Sequence, residues 1–448
     1  MNPVSDTRAA APSTGPAVSS SAQASNTQAT MTQARQERLI EFILEIGAAL
    51  HLHGEPAHSL EQALTGMAER FGLQSAFFAT PTSLMAGFGE ASDQTTRMIR
   101  IEATRTDLGK LRRLREVADA VSDRVVSIEE GIVRTREIVQ DPGRYSGAWV
   151  TILVAGVEGA TVAPLLGGGW AESAVAAVLG MLVGVLLSSS VGRSQRTLPL
   201  LTFIATFIVT FLASWFERTL ESVVLLTVVV SSVVILLPGL TFTTAMLELS
   251  TRNLASGTAR LAGAGISLLQ LASGVAFGTV LATAIWGPSP VVPDVTAVPL
   301  PLLAFGVLGF AAVLVVDFRA EPDDTPWIML VGLLSWAVAW VARPLGPEPS
   351  VFAAALAVGL ASELYASVSR RPISVVLVPG IIFLVPGSIG FRSVTLLSLQ
   401  DVDAGVGAAF AMMMVAVALA AGVLTSSSVF FAARELWGRY GLDERSHS

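Results

Sequence analysis

The sequence predicts a polytopic α-helical membrane protein of about ten transmembrane helices, built as an inverted 5+5 repeat, with a small α+β domain ahead of them. Three observations predict it. The chain of 448 residues is 52% hydrophobic and only 14% charged, where a soluble chain carries roughly a quarter charged residues. The charge is unevenly placed: 14 of the 27 arginines and the single lysine, Lys110, precede Tyr145, and apolar runs dominate the rest of the chain. Finally, Leu236-Leu237-Pro238-Gly239 is echoed 148 residues later by Leu384-Val385-Pro386-Gly387. The offset persists without gaps, pairing Leu249 with Leu397, Ser250 with Ser398, Gly257 with Gly405, Leu271 with Leu419 and Gly274 with Gly422.

Taken in order, residues 1–34 are rich in Ala, Ser, Thr and Pro without apolar periodicity, and are expected to be a disordered tail. They contain no continuous apolar core of the kind a secretory signal needs, so the N-terminus is expected to stay in the cytoplasm. Residues 35–145 carry the pattern of a cytoplasmic α+β domain. Leu39, Ile43, Ile46 and Leu50 recur at helical spacing up to Gly54, and Pro56 suits the first turn of a second helix bearing Leu60, Leu64 and Met67. Strands are expected at 74–79, 83–88 and 97–104. Asp107 can cap a third helix, and Ser127 with Glu130 three residues on signals the start of a fourth.

After Tyr145, ten segments approach the ~20 apolar residues a spanning helix needs: 149–166, 172–190, 198–216, 222–238, 260–286, 299–317, 326–343, 350–368, 372–389 and 404–432. They divide into halves at 146–290 and 291–435, with a cytoplasmic tail, 436–448, at the end. Five segments per half force the second half to lie inverted in the bilayer, as in many secondary transporters. Arginine placement agrees with cytoplasmic termini. Arg193, Arg196, Arg252, Arg260, Arg319, Arg370, Arg371, Arg434, Arg439 and Arg445 fall inside, against Arg218, Arg343 and Arg392 outside.

Few intramembrane groups can do chemistry. Glu158 lies near the centre of the first span, where a charge costs about 2.5–3.5 kcal/mol on insertion scales. It is a candidate for coupling protons or binding an ammonium, weighed against a protonated acid that bonds a neighbouring helix. Glu363 in the eighth span lies near Arg370 and Arg371, and suits an interface residue at least as well. Gln270 in the fifth span can bond substrate or act as interhelical glue, the latter favoured. The ninth span carries two breaks, Pro379-Gly380 and Pro386-Gly387, and a continuous helix is not expected to survive both. With Pro238-Gly239 they form the transport-pathway candidates, since unwound carbonyls can hold an ammonium and a half-helix N-terminus a carboxylate. Asp401 and Asp403 are expected to cap the tenth span, and Glu248, Arg252 and Asn253 to form a solvated loop.

Other classes are poorly served. Cysteine is absent, which excludes disulfides and thiol chemistry. His51, His53 and His58 match no specified ligand spacing and are expected to be surface or capping residues; with His447 they are all the histidines present. Gly167-Gly168-Gly169 lacks the Lys-Ser/Thr of a phosphate loop. No basic stripe with interleaved aromatics suggests nucleic acid. Neither a metal nor a cofactor is expected, and the partners are a small-molecule substrate, protons and the lipid bilayer, with homo-oligomerisation left open.

The order of parts resembles the threonine/serine exporter family. The resemblance is carried by Gly54-Glu55-Pro56-Ala57-His58-Ser59-Leu60-Glu61 and Pro81-Thr82-Ser83 in the N-terminal domain. It continues with Gly167-Gly168-Gly169-Trp170, Leu237-Pro238-Gly239, Gly257 and Arg260 in the first half, and Val378-Pro379-Gly380 and Leu384-Val385-Pro386-Gly387 in the second. It implies export of L-threonine and L-serine across the cell membrane, driven by the proton motive force, and no enzymatic activity. Glu158 matches no family motif, so its role rests on its position. The alternative is a membrane-anchored hydrolase or sensor whose activity resides in the N-terminal domain, which lacks a nucleophile elbow, metal signature or phosphate loop. The chain's lack of cysteine gives a clean test of the inverted arrangement. A cysteine replacing Pro290 is expected to react with an impermeant maleimide added outside intact cells; labelling only in inside-out vesicles would remove the antiparallel halves.

Overall fold

A computed structural model describes residues 18–90, 92–101, 105–189, 197–220, 223–289, 298–398 and 401–446. His447, the stretch holding Arg193 and Arg196, and most of the Pro-rich 288–301 segment lie outside the described residues. The N-terminal domain comprises α1 (Val18–Leu52), α2 (Ala57–Arg70), β1 (Ser75–Thr80), β2 (Ser83–Phe88), β3 (Thr95–Arg100), α3 (Leu108–Ser122) and α4 (Ile128–Gln140). Helix α1 begins at Val18, within the stretch expected to be a disordered tail. The strands form one antiparallel meander in the order β1-β2-β3, with Thr80 opposite Ser83 across the Pro81-Thr82 turn. Leu84, Ala86 and Phe88 of β2 bury one face against Phe42, Ile43, Ile46 and Leu50 of α1 and Leu60 and Leu64 of α2. Both expected caps form: Asp107 accepts from Lys110 N at 2.9 Å, and Ser127 Oγ from Glu130 N at 3.2 Å. Gly54 ends the first helix at φ 104, a left-handed conformation that side chains resist.

The membrane part comprises α5 (Ala148–Leu165), α6 (Trp170–Ser188), α7 (Leu198–Thr219), α8 (Leu225–Ser232), α9 (Gly239–Ser250) and α10 (Leu254–Trp286), then α11 (Leu300–Asp317), α12 (Thr325–Ala342), α13 (Pro347–Ser369), α14 (Ser374–Ile382), α15 (Gly387–Ser398) and α16 (Val402–Ser446). Among the described residues, eight helices are long and apolar enough to cross a membrane, or up to ten spans if each of two bent pairs counts as one. Phe277, Val341 and Phe410 remain exposed on these helices. Such apolar exteriors are what a lipid-facing surface requires. Eight of the ten expected segments fall on single long helices, and the other two, 222–238 and 372–389, fall on the bent pairs.

Helix α5 packs on α6 and α11; α7 and α9 pack on α10; α13 and α15 pack on α16. Helices α5 and α6 pack closely, because small residues let the backbones approach. A Cβ at Gly159 would lie 2.4 Å from the Ala176 carbonyl oxygen, and one at Gly180 would lie 2.3 Å from that of Ala155. Backbone cannot yield as a side chain can. Gly180→Ala is therefore expected to cost about 1–3 kcal/mol, read as a lowered melting temperature in detergent. Gly263→Ala, with nothing within 4 Å of the added methyl, is expected to be neutral or to stabilise α10 by up to ~1 kcal/mol.

Candidate functional site

Each bent pair is broken where a proline removes the backbone donor that would continue the helix. In the first, α8 passes through a short 3-10 turn (Val234–Leu236); Leu237 is extended at φ −66, ψ 128, and α9 restarts after Pro238 at a bend of 55°. The residue before a proline is driven out of the helical region in this way. In the second, α14 stops at Ile382 and α15 restarts at Gly387, bent by 41°. The two restarts touch. A Cβ on Gly387 would lie 3.3 Å from Gly239 Cα, and one on Gly239 would lie 2.3 Å from Val385 Cγ1. Only glycine permits so close a crossing.

Beside this crossing lies a cavity of about 410 Å³. Leu237, Gly239 and Thr241 face it from the first break, and Val385, Gly387 and Ser388 from the second. The first turns of α9 and α15 thus open on it, each with backbone N–H groups that have no partner within the helix and with the positive end of a helix dipole. Glu158 of α5 also lines it. It is 3% exposed, and its Oε2 has no hydrogen-bond partner among the described residues. Its charged neighbours are Asp317 and Arg105, which pair with each other and also line the cavity. Asp317 ends α11, and Arg105 reaches in from the N-terminal domain. Phe310 and Phe383 close the apolar side edge to face, 4.9 Å between centroids.

The other expected pathway residues lie elsewhere. Helix α14 runs straight through Pro379-Gly380, so the ninth span breaks once and not twice. Gly380 serves packing instead: a Cβ there would lie 2.7 Å from Val331 and Val358. Gln270 is half-buried on α10 and is not part of the cavity wall. Glu363 accepts from Ser427 Oγ at 3.0 Å and joins α13 to α16. Asp401 caps as expected, accepting from Ala404 N at 3.3 Å.

Two expectations are corrected outright. Glu248 is fully buried, not in a solvated loop, and accepts from Ala57 N (3.1 Å), Ser256 Oγ (2.8 Å) and Arg260 Nε (3.1 Å). A short-range reading misses it because its partners lie on α10 and on the N-terminal domain. Nor do His51, His53 and His58 stand exposed at the surface; His58 is half-buried. His51 and His53 are buried, His51 with its ring nitrogens 2.7 Å from the Thr80 carbonyl and 3.3 Å from that of Glu55. Burial holds His51 and His58 below the usual imidazole range. No group of three His, Cys, Asp or Glu suited to a metal occurs among the described residues.

Arg105, Asp317 and Asp324 carry no local signal in the sequence, yet all three prove structural. Asp324 is fully buried and gathers Arg112 Nη1 (3.0 Å), Arg371 Nη1 (2.5 Å) and Tyr365 Oη (2.8 Å). With the Arg319–Asp107 pair (3.4 Å) and the Leu108 N to Phe318 O bond (2.9 Å), it fastens the N-terminal domain to one end of the bundle.

Fold and site together define a multi-pass helical membrane protein with two interrupted spans around an internal cavity and an α+β domain closing one end. Within that class, the chain belongs to the threonine/serine exporter family: a model of that family matches residues 41–282, and a second, described as Threonine/Serine exporter, ThrE, matches residues 301–429. It is a transporter family, and not one of enzymes. Among curated relatives, an uncharacterized protein of Schizosaccharomyces pombe is 25% identical over 368 residues, 78% of this chain and 47% of the relative. Pheromone-regulated membrane protein 10 of Saccharomyces cerevisiae is 25% identical over 376 residues (82% and 48%), and that of Pichia sorbitophila 24% over 388 (81% and 37%). The chain spans about half the length, or less, of these relatives. No solved structure gives a significant match.

His53 yields a pH prediction. Burial, helped by the Lys110 ammonium, pushes it down to about 4. Between about 6.5 and 4 the unfolded chain binds a proton that the folded domain refuses, so stability falls as pH drops through that window. The loss is up to about 3 kcal/mol, measured as the melting temperature against pH. His53→Gln is expected to flatten that slope.

Proposed function

We propose that the protein is a secondary active exporter carrying small amino acids, L-threonine and L-serine, out of the cytoplasm in exchange for protons. The observation that carries this reading is the cavity at the crossed breaks, which Glu158 lines together with the first turns of α9 and α15. A zwitterion has one group for each. Its carboxylate is received by the unpartnered N–H groups of α9 and α15, and its ammonium by the Glu158 carboxylate. Glu158 can hold either an ammonium or a proton, and that competition is what couples the two fluxes. On the cytoplasmic side it gives up a proton and takes the amino acid; on the other side it releases the amino acid and takes a proton. The Arg105–Asp317 pair stands on the side of the N-terminal domain, and in this reading that domain borders the cytoplasmic entrance.

The antiparallel repeat belongs to the same reading. Its support is that packing partners recur element for element: α7 on α10 as α13 on α16, α9 on α10 as α15 on α16, α6 on α8 as α12 on α14. Rocking of one half against the other would then expose the cavity to alternate sides. Both chain ends are cytoplasmic and the membrane is the cell membrane.

Inside-out vesicles holding the purified protein are expected to accumulate labelled threonine and serine only when a proton gradient is imposed. Glu158→Gln is expected to lower that uptake by about 100-fold, the loss of a charged bond worth up to ~3 kcal/mol, with the protein still folded. Full transport with unchanged pH dependence in Glu158→Gln would sink the coupling role, and no uptake of any small amino acid would sink the reading.

A further inference from the structure

A second cavity, of about 370 Å³, lies between the N-terminal domain and the helices α9, α14 and α16. Three buried polar atoms of its lining residues have no hydrogen-bond partner among the described residues: Glu55 Oε2, His58 Nδ1 and Thr243 Oγ1. Glu55 is 3% exposed and Thr243 is 2% exposed. A buried polar group left unpaired is costly, and three around one space call for an occupant that pairs them. The Glu55 carboxylate is already held on one side. Its Oε1 accepts from Ser59 Oγ and from Arg115 Nη2, which fixes the plane of the carboxylate, while Oε2 is buried and unpaired.

The charge around the space balances. Glu55, Glu116 and Asp119 stand against Arg115, Arg370 and Arg371. That balance suits a ligand that is neutral overall and bears both signs. Arg371 is held by Asp323 and Asp324, whereas Arg370 stands exposed at the mouth, in a left-handed conformation at φ 56. The floor is apolar, made by Leu240, Ile381, Leu419 and Val423, and has room for a short side chain.

We propose that this interfacial cavity is a second binding site for a small α-amino acid, entered from the side of the N-terminal domain. Glu55 receives the ammonium, His58 and Thr243 complete its polar contacts, and Arg370 receives the carboxylate. The site rests on the exporter reading for the identity of its ligand, but shares no charged residue with the cavity at the breaks. Leu240 is common to both walls, so the first turn of α9 separates one site from the other.

The test is equilibrium binding of labelled threonine and serine to the full chain in lipid nanodiscs, run beside transport in vesicles. The wild type is expected to bind two amino acids per chain. Glu55→Gln and Thr243→Val are each expected to weaken one of the two by about tenfold or more and to leave the other, and Glu158→Gln to do the reverse. Thr243→Val also guards against misfolding. It removes an unpaired hydroxyl, so it is expected to raise the melting temperature of the empty protein while weakening binding, which a merely structural role would not do. One site per chain, lost in Glu158→Gln and unaffected by Glu55→Gln and Thr243→Val, overturns the interfacial site and leaves the exporter reading standing. Binding that depends on Glu55 without any transport overturns the exporter reading and keeps the site. No binding by the wild type overturns the site.

Discussion

The structure depends on what a proline does to a helix that cannot lean on water. At Pro238 and Pro386 the chain loses a backbone donor, and in an apolar bundle the freed carbonyls and amides must find partners inside the protein or border a polar space. Each break alone would be an expensive defect in a span. Brought together, with Gly239 and Gly387 nearly in contact, they border one cavity. The glycines are there because any side chain would hold the breaks apart. That crossing sets the bends of 55° and 41°, the cavity beside them and the position of the one acid on α5 that faces it.

A second constraint governs the other end of the bundle. Asp324 and Glu248 are fully buried acids, and a buried carboxylate is tolerated only when donors surround it. Each draws donors from both parts of the chain. Asp324 takes one guanidinium from α3 and another from the α13–α14 connection, with the Tyr365 hydroxyl. Glu248 takes a backbone amide at the start of α2 and the Arg260 side chain. The N-terminal domain is therefore an integral wall of the molecule, and its removal would leave two acids buried without their full complement of donors.

These two constraints explain what is legible in the sequence. Apolar run length locates the eight long helices and both bent pairs, and local capping rules locate Asp107, Ser127 and Asp401, because those signals lie within a few residues of what they determine. The Pro238 and Pro386 breaks are legible for the same reason. Pro379 departs from expectation because a proline within a helix forfeits one bond and kinks it without always ending it, and the packing of Gly380 on Val331 and Val358 keeps α14 intact. Glu248, Asp317, Asp324 and Arg105 are beyond the reach of local signals. Their partners lie up to 212 positions away, and a charged residue in a loop reads as solvated until its partner is known. The histidines behave similarly: His51 finds the Thr80 carbonyl across the sheet, which spacing along the chain cannot reveal.

Helix α9 joins the two constraints. It has 12 residues, so it is about 18 Å long. At one end Gly239 is wedged against Val385 and Gly387; at the other Glu248 is held by Ala57 and Arg260. A helix this short is stiff. Two residues before Ala57 is Glu55, whose carboxylate is fixed by Arg115 of α3. Helix α9 thus ties the crossing of the breaks at one end to the start of the N-terminal domain's second helix at the other. The buried acid at the far end of α9 turns a local helix break into a property of the whole molecule.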